Sequence, residues 1–169
     1  MHPLISASDL ARAIQQDNIL VLDASMALPG QSFDPQQRFA NAHIANAVRF
    51  DIDTFSDPDS TLPHTIPGQA RFTRLASERG MANDRRIVFY DQDGMACAAR
   101  GWWLASLFGH GQVQVLEGGL PHGNARACRW KPGRIYPPRP RSSAARTIAA
   151  CGGWGMCWPS CRDTWRGWF

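Results

Sequence analysis

Three nearly continuous apolar runs divide the chain: Ile19-Leu20-Val21-Leu22, Ile87-Val88-Phe89-Tyr90 and Val113-Gln114-Val115-Leu116. Short runs without polar alternation are the pattern of strands buried on both faces of a parallel sheet. Ala47-Val48-Arg49-Phe50 reads as a further core strand and Leu4-Ile5 as a short edge strand. Between the runs the spacing turns helical. Leu10, Ala13 and Ile14 share one face of a helix capped by Ser8-Asp9 and ended at Asn18. After a loop opened by Pro29-Gly30, Gln36 to Ala42 forms a short helix. Phe72, Leu75 and Ala76 line one side of a helix framed by Pro67-Gly68 and Gly80. An Ala-rich pattern starting near Ala96 leads into a helix over Arg100 to Phe108 that stops at Gly109. The alternation predicts an α/β fold: a parallel sheet of about five strands with about four helices.

One stretch, Tyr90 to Trp103, places a strand, a tight loop and a helix N-terminus in succession. Such turns lie at the carboxyl ends of parallel strands, where ligands bind, and their amides form a cradle for anions. The residue at the base of this cradle is Asp91, followed by Gln92, Asp93, Gly94, Met95, Ala96 and Cys97.

A length of 169 residues fits one domain with a real core. No early apolar segment is long enough for a signal peptide or membrane span, which makes the cytoplasm the expected location. The five cysteines show no paired metal-ligand spacing, so neither a zinc site nor a disulfide framework is expected, and no cofactor is implied. Charge splits the chain. Residues 1–121 hold 9 Arg, no Lys and 13 acidic residues, a net −4, whereas residues 122–169 hold 9 basic residues and one acidic, a net +8. Five of the seven tryptophans also lie beyond Pro121.

Several segments of the first part carry a family resemblance. Phe39-Ala40-Asn41-Ala42-His43-Ile44-Ala45-Asn46-Ala47 resembles the first rhodanese signature, with Ala45 and Asn46 where the family has Pro and Gly. Phe50-Asp51-Ile52-Asp53 and Leu62-Pro63-His64-Thr65-Ile66-Pro67 are similar to elements of 3-mercaptopyruvate sulfurtransferases. Arg100-Gly101-Trp102-Trp103, Phe108-Gly109-His110 and Gly118-Gly119-Leu120-Pro121 follow in the family's order and spacing. The resemblance covers about residues 4–121 and is to the first, non-catalytic domain of proteins that contain two rhodanese domains in tandem. It implies the rhodanese fold, a parallel sheet with helices on both faces, over a domain of residues 1–121.

Beyond Pro121 neither a helical nor a strand period can be followed, and residues 122–169 read as an irregular basic tail. Codons offer an account of it. His122-Gly123 is what GCA-TGG, the family's Ala-Trp continuation, yields after loss of one base. Ala127 to Arg134 can be written GCC-TGC-CGG-TGG-AAA-CCG-GGC-CGC; read from the third base this gives Leu-Pro-Val-Glu-Thr-Gly-Pro, a phrase typical of the linker between the two domains. A one-base deletion near Pro121 is therefore expected, with the second domain replaced by out-of-frame residues.

Rhodanese chemistry moves a sulfane sulfur through a cysteine persulfide held by loop amides. In the family the nucleophile belongs to the second domain, and Asp91 stands at the corresponding place here, where a carboxylate cannot carry a persulfide. Asp91 and Asp93 are expected to bond loop amides, and Arg100 to hold the loop or a domain interface. Cys97 has two readings: a thiol near a helix N-terminus, or a small side chain packed in the first turn. The resemblance makes Asp53 and His64 supporting candidates for proton movement toward a partner domain; the competing reading is a surface histidine in a Pro-bounded loop. His43 reads as a structural hydrogen-bonding residue beneath a turn. Three functions remain open: a sulfurtransferase domain inactive alone, whose intact form acts on a small sulfur-containing donor; a non-catalytic module binding a protein on the surface that would meet the missing domain; and, ranked last, nucleic-acid binding through the tail.

Overall fold

A computed structural model describes residues 2–15 and 18–120; the boundary at Pro121 and the tail lie outside the described residues. The elements are β1 (Leu4–Ile5), α1 (Ala7–Ala13), β2 (Ile19–Asp23), α2 (Pro35–Asn41), β3 (Val48–Arg49), α3 (Gln69–Glu78), β4 (Arg86–Tyr90), α4 (Ala96–Leu107) and β5 (Val113–Leu116). The strands form one parallel sheet in the order β1-β5-β4-β2-β3.

The apolar runs make the centre of this sheet because both of their faces are covered. Leu20, Leu22, Ile87, Phe89, Val113 and Val115 point to one side, into a core shared with Phe72, Leu75, Leu104 and Ala105 of α3 and α4. Val21, Val88, Tyr90 and Leu116 point to the other, against Leu10 of α1 and Phe39 of α2. Successive residues thus serve opposite cores, the period-2 geometry of a strand. Helix α4 lies close on β4 because position 101 lacks a side chain: a Cβ on Gly101 would fall 2.5 Å from the Phe89 ring.

Three boundaries differ from the sequence expectation. Segment 47–50 is not a core strand but a two-residue strand at the edge of the described sheet, pairing among the described residues only with β2, through Leu22↔Val48 and Asp23↔Arg49. Helix α1 is capped by Ser6, whose side chain accepts the Asp9 N–H, rather than by Ser8-Asp9, and it ends at Ala13. Helix α2 starts one residue earlier, at Pro35, because Asp34 caps it and accepts the Gln36 N–H at 2.8 Å. At the other ends of α3 and α4, the Met81 N–H reaches Ala76 C=O and the His110 N–H reaches Ala105 C=O, with Gly80 and Gly109 in the left-handed conformation between. Both are Schellman closures, which is why these two helices stop where the glycines predict.

Candidate functional site

The carboxyl ends of β2, β4 and β5 bring three loops together, and Asp91, the residue after β4, sits at their centre, only 3% exposed. One carboxylate oxygen, Oδ2, accepts the amide N–H groups of Cys97 at 3.0 Å and Ala98 at 3.1 Å, both in the first turn of α4. The other, Oδ1, accepts the Asp93 N–H at 3.1 Å. The backbone carbonyl of Asp91 accepts the Leu120 N–H at 2.8 Å. The amide cradle thus exists, and the protein's own carboxylate fills it. An anion at a helix N-terminus satisfies donors that no intrahelical partner reaches.

The loop that follows is tied on all sides. Gln92 donates its backbone N–H to Ser25 Oγ at 3.0 Å and its side-chain amide to Ala42 C=O at 2.8 Å. Asp93 takes a two-pronged ion pair from Arg38 at 2.8 and 2.9 Å, and the same guanidinium lies 4.2 Å from the centre of the Phe33 ring. Gly94 has a φ of 152°, and the Met95 sulfur accepts the Gly118 N–H at 3.2 Å. Gly119 packs so closely that a Cβ would lie 2.2 Å from Gly94 C=O and 2.6 Å from Asp91 C=O.

Beneath the loop lies a polar hub that sequence reasoning missed as a site feature. Asp23, fully buried at the end of β2, accepts the Ser25 N–H at 2.8 Å and stands 3.6 Å from Arg49 Nη1. Arg49 also donates to the carbonyls of Asp23 and Ser25. The Tyr90 hydroxyl accepts the Ile44 N–H, and its pKa is pushed well above the ordinary value, first by burial and then by the Asp23 charge. These residues come from four segments, so no local motif announces them; the polar end of a buried apolar run was the available signal.

The first signature forms the turn beside this hub. Ala47 N–H bonds Ile44 C=O at 2.9 Å, and Asn46 takes a φ of 64°. Asparagine tolerates that conformation better than other side chains, so it serves where the signature has glycine. His43 is buried, stacks on Phe39 with ring centres 4.5 Å apart, and places Nδ1 2.8 Å from Phe39 C=O.

Cys97 is 7% exposed in the first turn of α4. Burial pushes its thiol above the ordinary range, and the Asp91 carboxylate beside it adds to the shift. A nucleophilic cysteine requires the opposite. With Ser25, Met26, Leu28, Asp91 and Met95 it lines a small concavity above the loop.

Asp53 and His64 are brought together elsewhere, with His64 Nδ1 3.1 Å from Asp53 Oδ1. The distance suits an ion pair when His64 is protonated, although the ring is not aimed for a hydrogen bond. The two side chains are 39% and 69% exposed, although the His64 Nδ1 that faces Asp53 is itself buried. His64 has a φ of 56°, and its carbonyl accepts from Arg100 Nη2. Arg100 in turn lies 4.6 Å from the centre of the Trp103 ring. Trp102 is anchored by its indole N–H on Val113 C=O. Among the described residues no cluster of three or more His, Cys, Asp or Glu is arranged to hold a metal, and no helix is long and apolar enough to cross a membrane.

This arrangement agrees with the comparison to known proteins. Residues 6–125 match the rhodanese-like domain model. The chain belongs to the rhodanese-like domain family. It is 38% identical over 124 residues to thiosulfate/3-mercaptopyruvate sulfurtransferase 1, mitochondrial, of Arabidopsis thaliana, covering 73% of this chain and 33% of that protein. It is likewise 38% identical over 117 residues to 3-mercaptopyruvate sulfurtransferase of Escherichia coli (strain K12), covering 69% of this chain and 42% of that protein. Among solved structures, SseA from Escherichia coli superimposes with a TM-score of 0.72 at 33% identity, over 80% of this chain and 52% of that one. This rhodanese-like chain therefore spans between a third and a half of the length of these relatives.

Proposed function

We propose that this rhodanese-like domain is the first, non-catalytic half of a tandem-domain thiosulfate or 3-mercaptopyruvate sulfurtransferase, and that it does not turn over alone. The observation that carries the reading is the Asp91 carboxylate, which occupies the amide cradle where a persulfide would have to sit. Sulfur transfer needs a thiolate there to attack the donor and an empty set of N–H groups to hold the terminal sulfur. Cys97 supports no substitute, because it is buried and its pKa is raised. The relatives, more than twice as long as the matched stretch, are consistent with a second domain supplying the nucleophile. The intact protein takes a small anionic sulfur donor.

The test is cyanide-dependent thiocyanate formation from thiosulfate and from 3-mercaptopyruvate. The expected result is no turnover above background with the full chain. Turnover that disappears in Cys97→Ser overturns the reading. The proposed loss of reading frame near Pro121, which accounts for residues 122–169, is tested by sequencing the coding DNA; an uninterrupted frame with other codons refutes it. A second reading, a non-catalytic module that binds a protein partner, is favoured by the exposed apolar residues Leu62, Ile66 and Leu107.

A further inference from the structure

Two backbone amides of segment 117–120 reach across to the cradle loop, and one of them ends on sulfur. The Leu120 N–H bonds Asp91 C=O at 2.8 Å, and the Gly118 N–H bonds the Met95 thioether at 3.2 Å. Gly118 and Gly119 both take left-handed φ angles, 71° and 63°. At Gly119 a Cβ would meet the backbone oxygens of Gly94 and Asp91 at 2.2 and 2.6 Å, so the two segments touch there through their backbones with no room for a further atom. On its other side the cradle loop is tied without sulfur, by Arg38 to Asp93 and by Gln92 to Ser25 and Ala42. Met95 itself is partly buried. It packs against the core cluster that contains Cys97 and, with Met26, lines the concavity above the loop, whereas Met81 is only 2% exposed.

A thioether accepts an N–H through a sulfur lone pair, and the lone pairs of the same sulfur are what a peroxide oxidises. We propose that Met95 is a redox-sensitive clasp: its oxidation to the sulfoxide by hydrogen peroxide releases segment 117–120 from the cradle loop. A sulfur lone pair forms the S–O bond as the O–O bond breaks, and the departing hydroxide takes the proton of the transferred oxygen and leaves as water. Sulfur loses two electrons and the peroxide gains them. The S–O bond polarises the sulfur positive in either epimer, so the sulfur stops accepting and the new oxygen becomes the acceptor. An oxygen on the lone pair that now faces Gly118 would stand between the sulfur and a nitrogen 3.2 Å from it, where an N–H···O bond alone needs about 2.7–3.2 Å. An oxygen on the other lone pair points away from Gly118 and does not receive its N–H. Neither position re-forms the Gly118 bond while the backbones stay in contact. The change is reversible, because reductases return sulfoxides to thioethers, one enzyme for each epimer.

The full chain is treated with hydrogen peroxide and then with dithiothreitol, which returns cysteine sulfenates and disulfides to thiols but leaves methionine sulfoxide in place. Mass spectrometry of its peptides reads oxidation at each methionine, and amide hydrogen exchange is followed segment by segment. Met95 should gain oxygen faster than Met81, the buried reference. Exchange over 117–120 should then rise roughly tenfold while that of strand β4 stays unchanged. The two epimer-specific sulfoxide reductases together should reverse both changes. Met26→Leu should respond to peroxide as wild type does. Met95→Leu, which has no acceptor for Gly118, should exchange quickly over 117–120 from the start and ignore peroxide. If Met95→Leu fails to fold by circular dichroism, the reductase reversal in wild type carries the test. Met95 sulfoxide with unchanged exchange over 117–120, a peroxide response that survives in Met95→Leu or vanishes in Met26→Leu, or oxidation of Met95 as slow as that of Met81 overturns the clasp. None of these readouts depends on sulfur transfer.

Discussion

Replacing Asp91 by asparagine keeps the shape of the side chain and removes its charge and one acceptor. In the structure two oxygens serve three amides, those of Asp93, Cys97 and Ala98, and two of the three belong to buried residues. Asparagine can present its oxygen to Cys97 and Ala98 only by turning its NH₂ group against the Asp93 N–H. One amide then loses its acceptor and the other two exchange a charged acceptor for a neutral one. Hydrogen bonds to a charged group contribute about 1.5–3 kcal/mol each and neutral ones about 1, so the net loss is roughly 2–4 kcal/mol. Loss of the negative charge at the α4 N-terminus is included in that figure. For a domain of this size the loss corresponds to a fall in Tm of roughly 6–16 °C. Urea unfolding of the full chain, followed by circular dichroism, measures it, with Asp93→Asn as the exposed control. A loss below about 0.5 kcal/mol for Asp91→Asn would mean that the carboxylate does not organise this loop.

Three further outcomes are expected. Gly119→Ala should destabilise the fold by about 3 kcal/mol or more, because its Cβ would meet two backbone carbonyls at a φ of 63°, whereas Gly111→Ala, with nothing within 4 Å, should be near neutral; both are read by urea unfolding. His110 is buried, its Nε2 2.9 Å from Arg85 C=O, and burial depresses its pKa. Its depressed folded pKa means that it contributes stability above the ordinary histidine pKa and loses it as the pH falls below about 6.5 toward the folded value, so stability between pH 7 and 5 should decline more steeply in wild type than in His110→Gln. A double-mutant cycle of Arg38→Met and Asp93→Asn should give a coupling of about 0.5–1 kcal/mol, reduced by salt, since the pair is two-pronged but partly exposed.

The central strands β2, β4 and β5 were legible because burial on both faces leaves a nearly unbroken apolar run, interrupted in β5 only by the hydrogen-bonded Gln114. The edges were not: β3 is only two residues long, and what holds segment 47–50 is its pairing with β2 and the side chain of Arg49, not a pattern of its own. The start of α1 was misplaced because Ser6, Ser8 and Asp9 are all competent caps, and only the backbone conformation of Ser6 selects it. Asp34-Pro35 was a readable cap followed by proline at the first helical position, and points to the earlier start of α2. Within the site, the strand-loop-helix and the role of Asp91 toward its loop amides could be read locally. The ties from Ser25, Arg38 and Ala42 could not, since each spans 50 or more residues.

The carboxylate in the amide cradle also bears on how such a loop can change. Whatever side chain stands at position 91 must seat three N–H groups that the fold has already aimed inward. An aspartate meets that demand in full, and a neutral side chain such as asparagine only in part. Negative charge at this position thus stabilises the loop whether or not it reacts. An acidic residue here keeps the loop closed without a sulfur atom at its base.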